Sequence, residues 1–256
     1  MNGRIFAALL RRDALVARRE VVSLLIRTAL QPVLFVVVFG FVLPRIGMIP
    51  RGYGTTMIPG VAALCVAMAA MWAVAMPLIT DFGYTKEIED RLLAPVPIEL
   101  IALEKVVSGI VQGLFAAAVV LPLTRLIMGR LPFVTYSHPF ELLLFMILGG
   151  AAFSALGLVL GTVMQPQQIS IMMSVILVPM IMFGCVYYPW GGLTKMPVLK
   201  YAVLINPLVY ISEGLRAALT PDTPHMPVPI IITALVVLTA AGLVLGLRTF
   251  RKKAIT

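Results

Sequence analysis

LLLFMILGGAAFSALGLVLGTVMQPQQISIMMSVILVPMIMFGCVYYPWGGLT, residues 142–194, contains no Asp, Glu, Lys or Arg. A helix rises about 1.5 Å per residue, so about 20 apolar residues cross the hydrocarbon core of a bilayer. The run is long enough to do so twice. Gln165-Pro166-Gln167-Gln168 divides it. A polar tetrapeptide holding a helix breaker predicts a tight turn there, not one continuous helix. Outward from this run, residues 56–80, 106–124 and 226–247 are free of the same charges. The signal recurs too often for a soluble protein.

The fold class is therefore all-α, a polytopic membrane protein. Six transmembrane helices are expected at 23–43, 56–80, 106–124, 142–164, 169–188 and 229–247. The composition agrees: 61% of residues are hydrophobic and 12% charged, against about 25% charged in a soluble domain. The spans take up most of the 256 residues. They leave no stretch long enough for a separate soluble catalytic domain, so the chain reads as a single transmembrane domain, 1–256. The most polar stretch, 81–105, is too short to bury a core of its own.

The net charge is +9. The basic residues sit at the ends of hydrophobic runs, which points to anionic lipid and to topology, not to nucleic acid. Arg4, Arg11, Arg12, Arg18, Arg19 and Arg27 precede or enter the first span, Lys86, Arg91 and Lys105 lie between the second and third, and Arg248, Arg251, Lys252 and Lys253 follow the sixth. These outnumber Arg45, Arg51, Arg125, Arg130, Lys195, Lys200 and Arg216 on the opposite side. The bias predicts both termini in the cytoplasm, which an even number of spans satisfies.

Residues 1–22 read as an interfacial helix. Arg4, Arg11 and Arg18 are seven apart and fall within about 40° of one another. Phe6, Leu10, Ala14, Ala17 and Val21 occupy the other side. Such a helix lies in the headgroup plane, apolar face down. No cleavable signal peptide is expected, because a charged helix precedes the first apolar run. Cys65 and Cys185 both sit in apolar runs without metal-like spacing and predict packing roles. Gly109/Gly113, Gly157/Gly161 and Gly242/Gly246 give small helix surfaces that suit close approach within the chain. Pro32, Pro77, Pro122 and Pro179 fall within or near span ends and predict irregular helices.

No P-loop, G-x-S-x-G or H-E-x-x-H motif occurs. His138 and His225 are far apart, each beside a proline, and a metal site is not expected. The six spans as drawn hold no Asp or Glu. Ion-coupled transporters and intramembrane enzymes use such groups, so uphill transport by this chain would draw its energy from a partner. An ion-coupled secondary transporter and a non-transporting membrane scaffold are the competing classes.

Within 81–105, Thr85 can cap a short helix with Lys86, Glu87, Glu89, Asp90 and Arg91 exposed and Ile88, Leu92 and Leu93 facing inward. Pro95 and Pro97 stop it. This is either a lever for a soluble partner or a solvated connector. After the fifth span, Tyr187, Tyr188 and Trp190 suit an interfacial belt. Residues 196–204 and 207–219 are too short and mixed to span. Asn206 can cap the second piece with Pro207 at its first position. Glu213 and Arg216 can pair, an exposed pair contributing little. Residues 189–220 therefore read as an extracytoplasmic helical segment, a re-entrant or interfacial hairpin.

The chain resembles the ABC-2 type permease subunits of ATP-binding-cassette exporters. Glu87-x-Glu89-x-x-Leu92-Leu93-Ala94-Pro95-Val96 resembles that family's acidic stretch ending in L-L-x-x-P-[VL]. Glu87 and Ile88 stand where many members carry Gly-Thr, and one residue fewer precedes Pro95. Asn206-Pro207-Leu208-x-Tyr210-x-x-Glu213-Gly214-Leu215-Arg216 resembles its N-P-[LF]-x-[YH]-x-x-[ED]-x-[LF]-R pattern. The layout of a basic helix, six spans and a basic tail is also similar.

The resemblance implies a multi-pass permease of a bacterial cytoplasmic membrane that pairs with a second permease, identical or different. It implies a separate cytoplasmic ABC ATPase that holds the ATP and Mg, with no cofactor on this chain. Residues 85–93 would be the coupling helix, and the N-terminal helix would complete the docking surface. The second and fifth spans would line the route of an exported amphiphile: a drug, a lipid or a glycan-lipid. Met172, Met173, Met180, Met182 and Phe183 would offer that route a soft surface, or else simply pack the core.

Overall fold

The computed structural model of the protein describes residues 30, 33–50, 52–85, 97–128 and 138–255. Every regular element among them is helical. In chain order these are α1 (Val33–Arg45), α2 (Tyr53–Thr80), α3 (Ile98–Met128) and α4 (Pro139–Val163). They continue with α5 (Pro166–Met182), α6 (Pro197–Ile205), α7 (Pro207–Leu219) and α8 (Val228–Ile255). The expected interfacial helix 1–22 and the start of the first span lie outside the described residues. Among the described residues, 4 helices (α2, α3, α4 and α8) can cross a membrane by length and composition, or 5 if α6 and α7, bent by 102° at Asn206, count as one broken span.

The turn expected at Gln165-Pro166 is present. Met164 and Gln165 are extended, as a residue before proline prefers, and Pro166 opens the next helix at its first position. Gln165 and Gln168 cap each other reciprocally.

Element ends differ from expectation in places. α3 begins at Ile98, inside the stretch expected to be loop, and takes Glu104 and Lys105 into the buried helix surface. No breaker follows Pro97, and Glu99 in the first turn complements the helix dipole. The second expected span ends in a π-helical turn, Asp81–Thr85. The fifth, expected to reach Tyr188, stops at Met182, because Cys185 turns the chain back at φ 52°. It is also irregular, π-helical over Met172–Leu177 and α-helical over Val178–Met182. Pro179 lacks the N–H that would close an α-turn there, and wider turns re-pair the backbone. α8 runs past Leu247 to Ile255, with Lys252 and Lys253 at the end that favours cations.

α2 is the hub of the bundle. It is apolar on all sides and buried along most of its length, packed against α4 and α3 and then α7. Small residues set how closely these helices approach. A Cβ on Gly157 of α4 would lie 2.5 Å from the Met71 carbonyl oxygen, and one on Gly109 of α3 would lie 2.4 Å from Ser154 Oγ. Gly242 and Gly246 of α8 rest on Ala155 and Leu158 of α4 in the same way. The Gly-x-x-x-Gly surfaces thus serve packing within the chain, as expected. Cys65 and Cys185 are free and buried.

The outward faces carry Val111 and Phe115 of α3, Leu143 and Ile147 of α4, and Val236, Val237, Val244 and Leu245 of α8. In water such a belt would be an association hazard; against lipid tails it costs little.

Candidate functional site

At one end of the bundle α2 begins, α7 packs inward and the chain enters α8; this is the hairpin end. Asn206 builds it locally. Its side-chain oxygen accepts from the Leu208 N–H at 3.0 Å, and Pro207 occupies the first helical position of α7. Its amide also donates to the Met180 carbonyl at 2.7 Å. Tyr188 donates its hydroxyl to the Met182 carbonyl at 3.2 Å. The carbonyls left open where α5 stops are therefore taken up by side chains. Tyr210 donates to the Leu204 carbonyl at 2.8 Å and fixes the bend between α6 and α7.

The centre of this end is the pair Glu213–Arg216. Both side chains are 0% exposed. The expectation of an exposed, weakly contributing pair is overturned, because α7 inserts between α2 and α4 and does not lie on the surface. Glu213 Oε1 accepts from Arg216 Nη1 and from the Trp190 N–H, the latter at 2.9 Å. Glu213 Oε2 accepts from the Met226 N–H at 2.9 Å. Arg216 Nη2 donates to the Cys185 carbonyl at 3.0 Å and to the Thr56 carbonyl at 3.3 Å.

One turn of α7 thereby holds the start of α2, the reversal after α5, the approach to α6 and the entry to α8. A buried pair is stable only when its remaining donors and acceptors are met, and backbone groups meet nearly all of them here. Arg216 Nε is the exception: it is buried and lacks a hydrogen-bond partner among the described residues.

The reversal after α5 rests directly on α2. A Cβ on Gly60 would lie 1.9 Å from the Val186 carbonyl oxygen. Tyr53 of α2 donates its hydroxyl to the Tyr187 carbonyl at 2.8 Å, and Phe35 of α1 packs on the Tyr187 ring at 5.2 Å between centroids. Trp190 donates its indole N–H to the Lys200 carbonyl at 3.0 Å, with the Lys200 ammonium 4.4 Å from its ring.

The residues singled out from sequence fall into separate places. Asn206, Pro207, Tyr210, Glu213 and Arg216 come together at the hairpin end. Met180 is buried in the main core, whereas Met182 and Phe183 are 44% and 47% exposed. Met172 and Met173 lie in the π-helical part of α5. Thr85 ends the π turn after α2, while Lys86, Glu87, Glu89, Asp90 and Arg91 lie outside the described residues. No group of His, Cys, Asp and Glu among the described residues could hold a metal ion.

Sequence reasoning did not find Trp190, Met226, Cys185 and Thr56 as partners of the pair. They act through backbone groups, so side-chain identity carries no trace of them. One signal was available: Glu213 and Arg216 are the only charges on a helix that is otherwise mostly apolar.

The sequence model of the ABC-2 type transporter family matches residues 4–220. The chain is 30% identical over 201 residues to the inner membrane transport permease YadH of Escherichia coli K12, with 75% of each chain covered. The same values relate it to the protein of that name in Shigella flexneri. The chain belongs to the ABC-2 type transporter family, and its long apolar helices are those of a transmembrane transport subunit.

Proposed function

We propose that the chain is the permease of an ABC exporter and moves an amphiphilic substrate outward with ATP hydrolysed on a separate cytoplasmic ATPase. The family match over residues 4–220 carries this reading. The geometry supports it in one respect: the charged segment 86–96 joins the ends of two long, mutually packed helices, α2 and α3. A partner bound to that segment would press on the centre of the bundle.

In this reading α1 and α5 are the described parts of two further spans, which gives six, and the basic bias places both termini in the cytoplasm. The hairpin end then faces outward, with α6 and α7 dipping back from that side. A relative named as an inner membrane permease supports the bacterial inner membrane as the location. Two permeases pair, each docking one ATPase that carries the nucleotide and Mg. Lys86, Glu87, Glu89, Asp90 and Arg91, with Thr85, dock the ATPase, and the stretch that carries Met172, Met173, Met180, Met182 and Phe183 lies along the route.

The test is purification from the native membrane in mild detergent. Recovery of a P-loop ATPase in fixed ratio, with ATP hydrolysis that responds to added amphiphiles, is the expected outcome. Transport activity in a preparation devoid of any ATPase would contradict it.

A second reading, ion-coupled transport, gains one observation. Glu104 is 0% exposed within α3 and Asp81 is buried beyond the end of α2, so carboxylates are less remote from the bundle interior than the span boundaries drawn from sequence imply. Transport that survives ATP depletion and stops when the proton gradient is collapsed would favour it.

A further inference from the structure

Opposite the hairpin end, α2 finishes, α3 starts and α4 and α8 finish; this is the loop end. A second apolar cluster, separate from the main core, is built there from Val74 and Leu78 of α2, Ile101, Ala102 and Val106 of α3, Leu158 of α4 and Phe250 of α8. Phe250 is 0% exposed although it lies beyond the apolar part of its helix. Its ring meets Phe82 edge-on at 5.6 Å between centroids. Phe82 is in the π turn that leads into segment 86–96, and Ile101 and Ala102 are in the first turns of α3, which leads out of it. One side chain from α8 therefore joins the cluster that holds both roots of the charged segment.

Lys253 extends this contact. Its ammonium lies 4.9 Å from the centroid of the Phe82 ring and donates to the Met164 carbonyl at 3.3 Å. Met164 caps the end of α4, where a cation complements the helix dipole. Thr249 and Thr162 share a hydrogen bond of 2.7 Å between α8 and α4. Gly83 lies against the α4–α5 turn so closely that a Cβ there would be 2.3 Å from Pro166 Cγ. The root of the segment, the α4–α5 turn and the end of α8 are thus one packed unit. Packed contacts of this kind shift between discrete arrangements and do not stretch.

We propose that Phe250 and Lys253 are positioning residues that carry a displacement of Phe82, at the root of segment 86–96, into the end of α8. The inference rests on the reading of that segment as the docking site of an ATPase. It assigns the transmission to the end of α8, an element the docking surface itself does not include.

Hydrogen exchange on the purified permease–ATPase complex tests it, by comparing the nucleotide-free state with the Mg-ATP-vanadate state. In the wild-type chain both segment 86–96 and the remote element, the last turns of α8, should change exchange. In Phe250→Ala and Lys253→Gln the segment should still respond while the remote response is lost. Phe250→Leu and Lys253→Arg should restore most of it. A merely structural role would lower protection in both states alike and leave the difference between them intact. If Phe250→Ala does not fold, the half-buried Lys253 carries the same comparison.

A remote response equal to wild type in both variants, with the segment responding normally, overturns the inference and leaves the exporter reading in place. No ATPase in the purified material, or no nucleotide effect on segment 86–96, overturns the exporter reading, and the inference falls with it.

Discussion

Glu213 and Arg216 pair three residues apart on α7 with no side-chain surface exposed on either. The pair ties backbone groups of Thr56, Cys185, Trp190 and Met226 to one helical turn. Removing one partner leaves the other charge buried and uncompensated, at a cost of about 3–5 kcal/mol. Arg216→Met and Glu213→Gln should each lower the unfolding midpoint in detergent markedly. The double variant should cost less than the sum of the two, because neither charge is then stranded. Strict additivity in the cycle would show that the two side chains do not interact.

Asn206 does two jobs that a pair of substitutions can separate. Asn206→Asp keeps the acceptor for the Leu208 N–H but loses the donor to the Met180 carbonyl. Asn206→Ala loses both. The cap is worth about 1 kcal/mol and the second bond about another 1 kcal/mol. Asn206→Ala should therefore be the less stable of the two by thermal unfolding. Equal midpoints would mean that the cap on the Leu208 N–H contributes nothing.

The α2–α4 contact leaves no room for a methyl group at Gly157, where the nearest atom is a backbone oxygen. Gly157→Ala should destabilise by about 1–3 kcal/mol. Gly150→Ala is the control, since its nearest neighbour would lie at 3.5 Å, an ordinary contact. A thiol-reactive dye suits the measurement, because Cys65 and Cys185 are buried in the folded chain and react only as it opens. Equal unfolding curves for the two variants would contradict the packing described for α2 and α4.

Glu87→Ala combined with Asp90→Ala should leave the chain folded but uncouple ATP hydrolysis by the partner from transport. The measurement is the ratio of substrate moved to phosphate released in reconstituted vesicles. An unchanged ratio would remove segment 86–96 from the coupling route.

The long spans were legible because lipid demands uninterrupted apolar runs, and α2, α4 and the apolar part of α8 follow those runs closely. The break at Gln165-Pro166 and the cap at Asn206 were legible because each has a local chemical cause. Ends set by tertiary contact were not. Gly184 is the one local sign that α5 stops at Met182; the reversal itself depends on the close approach of Val186 to Gly60 and on Arg216 reaching the Cys185 carbonyl. Charges were misjudged for the same reason. Glu104, Glu213 and Arg216 look like surface residues until the helices that cover them are in place.

The most direct measurement is uptake of a fluorescent amphiphile into sealed inverted vesicles that hold the chain with its ATPase. Uptake should require ATP, stop with vanadate and persist when the proton gradient is collapsed. Uptake that continues without ATP and ceases with the gradient would contradict the account at its centre.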